Sequence, residues 1–218
     1  MKLVTIQTKA AYDSFLKNGY LIANSKFINE AKYGVPYSFI IKNMQNINNN
    51  YNAKYPIWAW VKYGGYSSPP KNRLLGFFPK DEDEIVRITF EKKDNQVLVS
   101  DYIKYHFLLT NEYLPKSIKD MLDFESLMTS SGVSKEDLLA YVRRDKYTTY
   151  RKDDNFKYIN KKIALSYEDI FVLGNRILQA TVWYITKAEV KKVEIIKRKN
   201  CFKKHPIDYR KMYRKQLK

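Results

Sequence analysis

The chain has one cysteine and two histidines among 218 residues, and that scarcity removes whole classes of chemistry. Cys201 alone closes no internal disulfide and supports no cysteine-rich metal site. With only His106 and His205 to add, structural zinc is not expected. There is no Gly-rich phosphate loop, no H-E-x-x-H and no G-x-S-x-G, so P-loop ATPase, zincin and α/β-hydrolase readings fall away. A two-histidine ribonuclease mechanism also lacks its acid–base pair, because His106 is the one histidine ahead of the basic C-terminal stretch. No apolar run approaches the roughly 20 residues of a membrane span, and Lys2, Gln7 and Lys9 interrupt the N-terminal stretch where a signal segment would lie. A cytoplasmic protein with no membrane partner is the expectation.

Acids are scarce as well. Against 40 Lys and Arg stand 23 Asp and Glu, a formal net charge of +17. Such a field attracts polyanions and speeds encounter with them, which makes nucleic acid the leading partner class. Coding bias toward Lys, Asn, Tyr and Ile, visible in Asn48-Asn49-Asn50, is the bland counterpart. Hydrophobic residues make up 44% of the chain, enough for a core, and the length fits one domain over residues 1–196 with a basic tail at 197–218. The tail carries ten Lys or Arg against one acid, Asp208.

The pattern along the chain describes an α+β domain. A strand at 2–7 leads into a helix over 10–17 that Gly19 stops, and a second helix covers 37–47. Tyr55 to Tyr63 reads as a strand from its aromatic and β-branched content, and 64–70 as a turn or mobile loop. Residues 84–91 alternate in the strand period, and Asp94-Asn95 turns the chain into a strand at 96–100 that would close a hairpin. A helix follows from Asp101, then short helical pieces over 116–165 read as a lid or insertion, including a helix start at Ser134. Ser166-Tyr167-Glu168-Asp169 looks like another N-cap. The last strands cover 177–185 and the end of 187–196.

Three groups of residues could carry chemistry. Trp58 and Trp60 share one face of their strand, with Tyr63 on the other face if the strand is regular; they read as core or as a stacking wall for a planar ring. Ser100-Asp101-Tyr102, with Tyr105 and His106, gathers titratable groups at a strand end, where Ser100 or Asp101 serves equally well as an N-cap. Gln179 and Thr181 lie on one face of an apolar strand that Trp183 continues, and a buried amide there calls for a partner, either a ligand or a cross-strand group.

Taken in order, Thr5-Ile6-Gln7, Trp58-Ala59-Trp60, Ser100-Asp101 before His106, and Gln179-Ala180-Thr181-Val182-Trp183 resemble an uncharacterised bacterial family of about this length. The order of elements, with Gly19-Tyr20-Leu21 ending the first helix, also resembles the ADP-ribosyltransferase superfamily, especially bacterial toxins that modify nucleic acids. That resemblance implies an ADP-ribosyltransferase-like mixed β-sheet core with flanking helices and NAD as substrate. By position, Thr5 and Gln7 would hold the nicotinamide-side ribose, Trp58, Trp60 or Tyr63 would stack on nicotinamide, with His106 beside the cofactor, and the strand of Gln179 and Thr181 would face the reacting carbon. The superfamily's first-strand histidine or arginine is replaced by Thr5, and its late-strand glutamate is missing at 179 and 181, where Glu168, Glu189 or Asp101 could substitute. The implied activity is transfer of ADP-ribose to a base of single-stranded nucleic acid, more in keeping with RNA, in a toxin–antitoxin or phage-defence setting with a protein antitoxin. Lys197, Arg198, Lys203, Lys204, Arg210, Lys211 and Arg214 would hold phosphates. A non-catalytic RNA-binding module and a protein-modifying transferase are the alternatives.

Overall fold

A computed structural model describes the chain except residues 26, 27, 29, 80, 81, 144–150, 175, 176, 202–207 and 218, with backbone alone at 30–33, 72, 142 and 143. It falls into two compact units, one of Met1–Ser25, Ile41–Val99 and Arg176–Ile207, the other of Lys26–Ile40, Ser100–Asn175 and Asp208–Lys218. Each unit is discontinuous and takes three segments of the chain.

The first unit is built on strand β1 (Lys2–Thr8). Leu3, Val4 and Thr5 are all buried, so both sides of the strand are covered, as in the interior of a sheet. Helix α1 (Lys9–Asn18) follows at once, with the Thr8 hydroxyl accepting from the Ala11 N–H and Gly19 closing it at φ 83°. That left-handed conformation suits glycine, whose N–H reaches Phe15 O at 2.9 Å. Strands β2 (Tyr20–Ile22), β3 (Ile57–Tyr63), β4 (Glu84–Glu91), β5 (Leu98–Asp101), β6 (Ile177–Val182), β7 (Tyr184–Thr186) and β8 (Val190–Lys197) complete the β structure. Six of them form one sheet in the order β5-β6-β3-β1-β4-β8, and β2 pairs with β7.

The register assigns the faces. Leu3, Thr5 and Gln7 stand opposite Phe90, Ile88 and Val86, while Ile57 and Ala59 stand opposite Val182 and Ala180. These apolar residues share one face and pack with Phe15, Leu21 and Ile185 into the main core. Trimming a buried side chain such as Phe90 to alanine would cost about 3–5 kcal/mol. On the other face Ile85 and Ile196 pack with Leu74 in a smaller cluster.

The second unit is helical. It holds the first part of α2 (Glu30–Asn43), then α3 (Tyr102–Leu109), α4 (Ile118–Ser131), α5 (Lys135–Arg143), α6 (Asp154–Ser166), a 3-10 turn at Tyr167–Phe171 and α7 (Tyr209–Arg214). Asn111, 3% exposed, ties it together: its amide donates to Leu138 O at 3.2 Å and Asn160 Oδ1 at 3.0 Å, and its oxygen accepts from the Tyr167 hydroxyl at 3.3 Å. Among the described residues the stretch 116–165 thus supplies α4, α5 and most of α6, whose Phe156, Ile159 and Ile163 are buried in this unit.

Several sequence expectations change. The hairpin of 84–91 with 96–100 does not form, because both edges of β4 are taken by β1 and β8 and β5 lies next to β6 at the far edge. The second helix runs through Pro36 and ends at Asn43 instead of covering 37–47. The strand expected over 177–185 divides at Trp183, whose indole N–H donates to Ile47 O at 3.0 Å, so Trp183 does not continue the face of Gln179. Ser166 does stand at the N-cap position of a 3-10 turn, Tyr167–Phe171, with Glu168 and Asp169 in its first turn, but its hydroxyl is used elsewhere, donating to Ile163 O at 2.7 Å and accepting from Leu114 N at 3.1 Å. The loop after β3 folds back through paired hydrogen bonds between Tyr63 and Tyr66, and Ser68 is buried. The mixed α+β class holds.

Candidate functional site

The site grows from the β3–β6 ladder, in which Trp58 faces Thr181 and Trp60 faces Gln179. Ala180 and Val182 point to the main core, so strand alternation turns Gln179 and Thr181 to the opposite face, with the two indoles. Between Trp60 and Lys62 the register shifts, and β3 resumes with Tyr63 opposite Ile177. This irregularity brings Tyr63 onto the tryptophan face, where its ring meets Trp60 edge-on at 5.3 Å between centroids. Tyr63 was expected on the other face of a regular strand.

Gln179 is 6% and Thr181 1% exposed, yet Gln179 Nε2 and Thr181 Oγ1 have no hydrogen-bond partner among the described residues. A buried polar group left without a partner costs about 1–3 kcal/mol. Two of them two residues apart on one strand, about 6.6 Å in reach, each opposite an indole, form a polar and aromatic grid suited to a flat ligand with hydrogen-bonding edges.

Thr5 and Gln7 do not join this grid. Val4 is the β1 residue aligned with Trp60, so Thr5 and Gln7 point to the other face. The Thr5 hydroxyl donates to Trp58 O at 2.8 Å and Gln7 Nε2 donates to Thr5 Oγ1 at 2.7 Å, which closes a local chain of hydrogen bonds. Asp101 and His106 belong to the second unit. Asp101 is the N-cap of α3, its Oδ1 accepting from Ile103 N at 2.9 Å and Lys104 N at 3.1 Å. His106 Nδ1 lies 2.8 Å from Tyr102 O, and its ring packs against Tyr102 and Tyr209. Of the substitute acids, Glu189 accepts from Thr186 N at 2.8 Å and pairs with Lys92 at 2.7 Å, and Glu168 is exposed.

The basic residues divide by environment. Arg198 is built into the first unit: its guanidinium donates to Pro79 O and, at 2.6 Å, to Glu82 O, and lies 5.1 Å from the Phe78 ring centre. Arg210 is held in the second unit by Glu112, with Nε to Oε2 at 2.7 Å, while the Tyr209 hydroxyl donates to Oε1 at 3.1 Å. Burial pushes the Glu112 carboxyl up, but the hydrogen bonds from Arg210, Thr110 and Tyr209 outweigh it and leave its pKa below the ordinary value. Lys197, Lys211 and Arg214 are exposed, whereas Lys203 and Lys204 lie outside the described residues. Over 208–217 the expected tail is instead a docked segment, with Tyr213 buried and its hydroxyl donating to Pro115 O at 2.8 Å.

One group escaped sequence reasoning. Lys92 has a side chain 1% exposed, 2.7 Å from Glu189 and 3.7 Å from the Tyr184 ring centre. Burial lowers its pKa and Glu189 partly restores it. Its position two residues beyond Phe90 on the core face was the available signal.

The fold and the site define an α+β protein with a central six-stranded sheet and an aromatic and amide-bearing face. The chain belongs to the family described as a domain of unknown function (DUF3841), whose model matches residues 2–191. Comparison with curated proteins and with solved structures returns no match. Among the described residues there is no helix long and apolar enough to cross a membrane and no cluster of metal-ligating side chains.

Proposed function

We propose that the chain is an NAD-dependent ADP-ribosyltransferase of the toxin type, acting on a base of single-stranded nucleic acid, with an ADP-ribosyltransferase-like core. The observation that supports this reading is the pair of buried groups without a hydrogen-bond partner among the described residues, Gln179 Nε2 and Thr181 Oγ1, on the indole face of β3 and β6. Nicotinamide is a flat ring bearing a carboxamide, and ribose carries hydroxyls, so NAD offers both the stacking surface and the hydrogen-bond partners this face lacks. Thr5 and Gln7, occupied on the other face, are left out of the proposed site.

In the reaction the bond between ribose C1′ and the nicotinamide nitrogen breaks, nicotinamide leaves with the electron pair, and C1′ becomes cationic. A ring nitrogen or amino group of the base adds to C1′ and releases a proton to water. No nucleophile is required of the protein, which positions NAD and stabilises developing charge. An indole face attracts such a cation, worth about 2 kcal/mol when water is excluded. An unstacked base is presented at little cost by a single strand, and the net charge of +17 holds its phosphates. Unchecked activity of this kind would be harmful, so a protein antitoxin and a defence setting belong to the same proposal.

A second reading, a non-catalytic RNA-binding module, is favoured by the engagement of Asp101 and Glu189 in helix capping and ion pairing. Incubation of the full chain with labelled NAD and, separately, single-stranded RNA, DNA and total protein distinguishes them. Label on RNA or DNA, lost on Gln179→Met, supports transfer to nucleic acid, and label on protein moves the acceptor. No label and no release of nicotinamide, with RNA bound in low salt, leaves the binding module.

A further inference from the structure

The second unit contains a cavity of about 340 Å3, within the size range of small-molecule pockets, which run from about 300 to 1,000 Å3. All of its lining residues belong to that one unit. Phe107, Met121, Phe124, Met128, Leu138 and Tyr213 give it apolar walls. Helix α4 has no buried residue and is fastened as a wall by the stacking of Phe124 on Tyr113, 4.0 Å between centroids, and by Asp120, which accepts from the Tyr113 hydroxyl at 2.9 Å and from Lys116 N at 2.8 Å. Methionines on such a wall adapt to an irregular apolar guest.

The charges in the lining are unequal. Arg210 is neutralised by Glu112, as described above. Arg214, Lys135 and Glu125 also line the cavity and have no ion pair among the described residues, so the lining carries one positive charge in excess. An apolar chamber with one positive charge in excess matches a guest with an apolar body and one anionic end. A neutral guest would leave the excess positive charge with solvent alone, and a dianion would have to place a second charge against Phe and Met side chains.

We propose that this cavity binds a small amphiphilic monoanion, of the class of medium-chain or aryl carboxylates, with the apolar part between α3 and α4 and the carboxylate toward Arg214 and Lys135. Leu217 and Tyr213 also line the cavity, so the guest would rest against the docked C-terminal segment and hold it in place. This site is independent of the NAD reading.

The test is calorimetric titration of the full chain with sodium octanoate below its micelle concentration, with 1-octanol as the neutral control. Saturable one-to-one binding of octanoate is expected, with octanol at least tenfold weaker. Arg214→Ala should weaken octanoate at least fivefold, and Met121→Trp, which fills the chamber from an unburied helix, should abolish binding. Met128→Trp is the second filling variant, and circular dichroism checks that each variant is folded. Absence of saturable binding, equal binding of octanol, or unchanged octanoate binding in the folded tryptophan variants would overturn the proposal. So would binding of an acidic peptide but not of octanoate, which would make the chamber a protein-docking site.

Discussion

Gln179 stands directly opposite Trp60 across the β3–β6 ladder, and its buried amide nitrogen has no hydrogen-bond partner among the described residues. Thr181 repeats the arrangement against Trp58. Apolar residues of similar size would pack at both places without the desolvation cost, so the present pair sacrifices stability, as binding sites commonly do.

Gln179→Met and Thr181→Val should therefore raise the stability of the free protein, each by about 1 kcal/mol, while lowering NAD affinity at least tenfold. Urea denaturation with linear extrapolation gives the first quantity and NAD titration the second. A loss of stability with unchanged NAD affinity would make the two residues plain structural members of the sheet.

Lys92 and Glu189 form an ion pair with a buried ammonium and a partly exposed carboxylate, and the two halves should respond differently to removal. Glu189→Gln leaves an unpaired buried ammonium and should cost about 3 kcal/mol, whereas Lys92→Met should lie within about 1 kcal/mol of the parent or above it. The folded-state pKa of Lys92 lies below the ordinary 10.5, so between the two values the unfolded chain binds more protons and stability rises with pH. Lys92→Met should remove that rise from the curve of unfolding free energy against pH.

Much of this was legible in the sequence where a local pattern decides the structure. The alternation at 84–91 gives β4 to the residue, and Gly19 ends α1 where the apolar spacing stops. The shared face of Trp58 and Trp60 follows from the strand period, as does that of Gln179 and Thr181. What was hidden depends on partners distant in the chain. The register shift after Trp60 is defined only against β6, and it moves Tyr63 to the other face. The assignment of Thr5 to the core face needs its alignment with Ile88. A basic stretch does not show that Glu112, 98 residues upstream, holds Arg210.

Glu112 fastens α7 to the end of α3, and its lowered pKa gives the linkage a definite sign. The contribution is fully present above the ordinary carboxylate value of 4.5 and is lost as pH falls through the lower folded value. Glu112→Gln should lower stability by about 1 kcal/mol at neutral pH and flatten the acid side of the pH–stability curve, while proteolytic cleavage within 208–217 becomes faster. An unchanged acid limb and unchanged cleavage would show that Tyr213 alone holds the segment.

Arg198 and Lys211 separate structural charge from surface charge. Arg198→Ala removes donors to Pro79 O and Glu82 O and the packing on Phe78, so unfolding free energy should fall by about 1–2 kcal/mol. Its guanidinium is already committed to those carbonyls, so the dependence of log K on log salt for single-stranded RNA should change little. Lys211 is exposed and its N–H, not its ammonium, is used by the Asp208 cap. Lys211→Ala should leave stability within about 0.5 kcal/mol and make the salt slope shallower by about 0.7, the release of one counterion from a single strand. The reverse pattern, an altered slope for Arg198→Ala and none for Lys211→Ala, would assign nucleic-acid contact to the turn after β8 and not to α7.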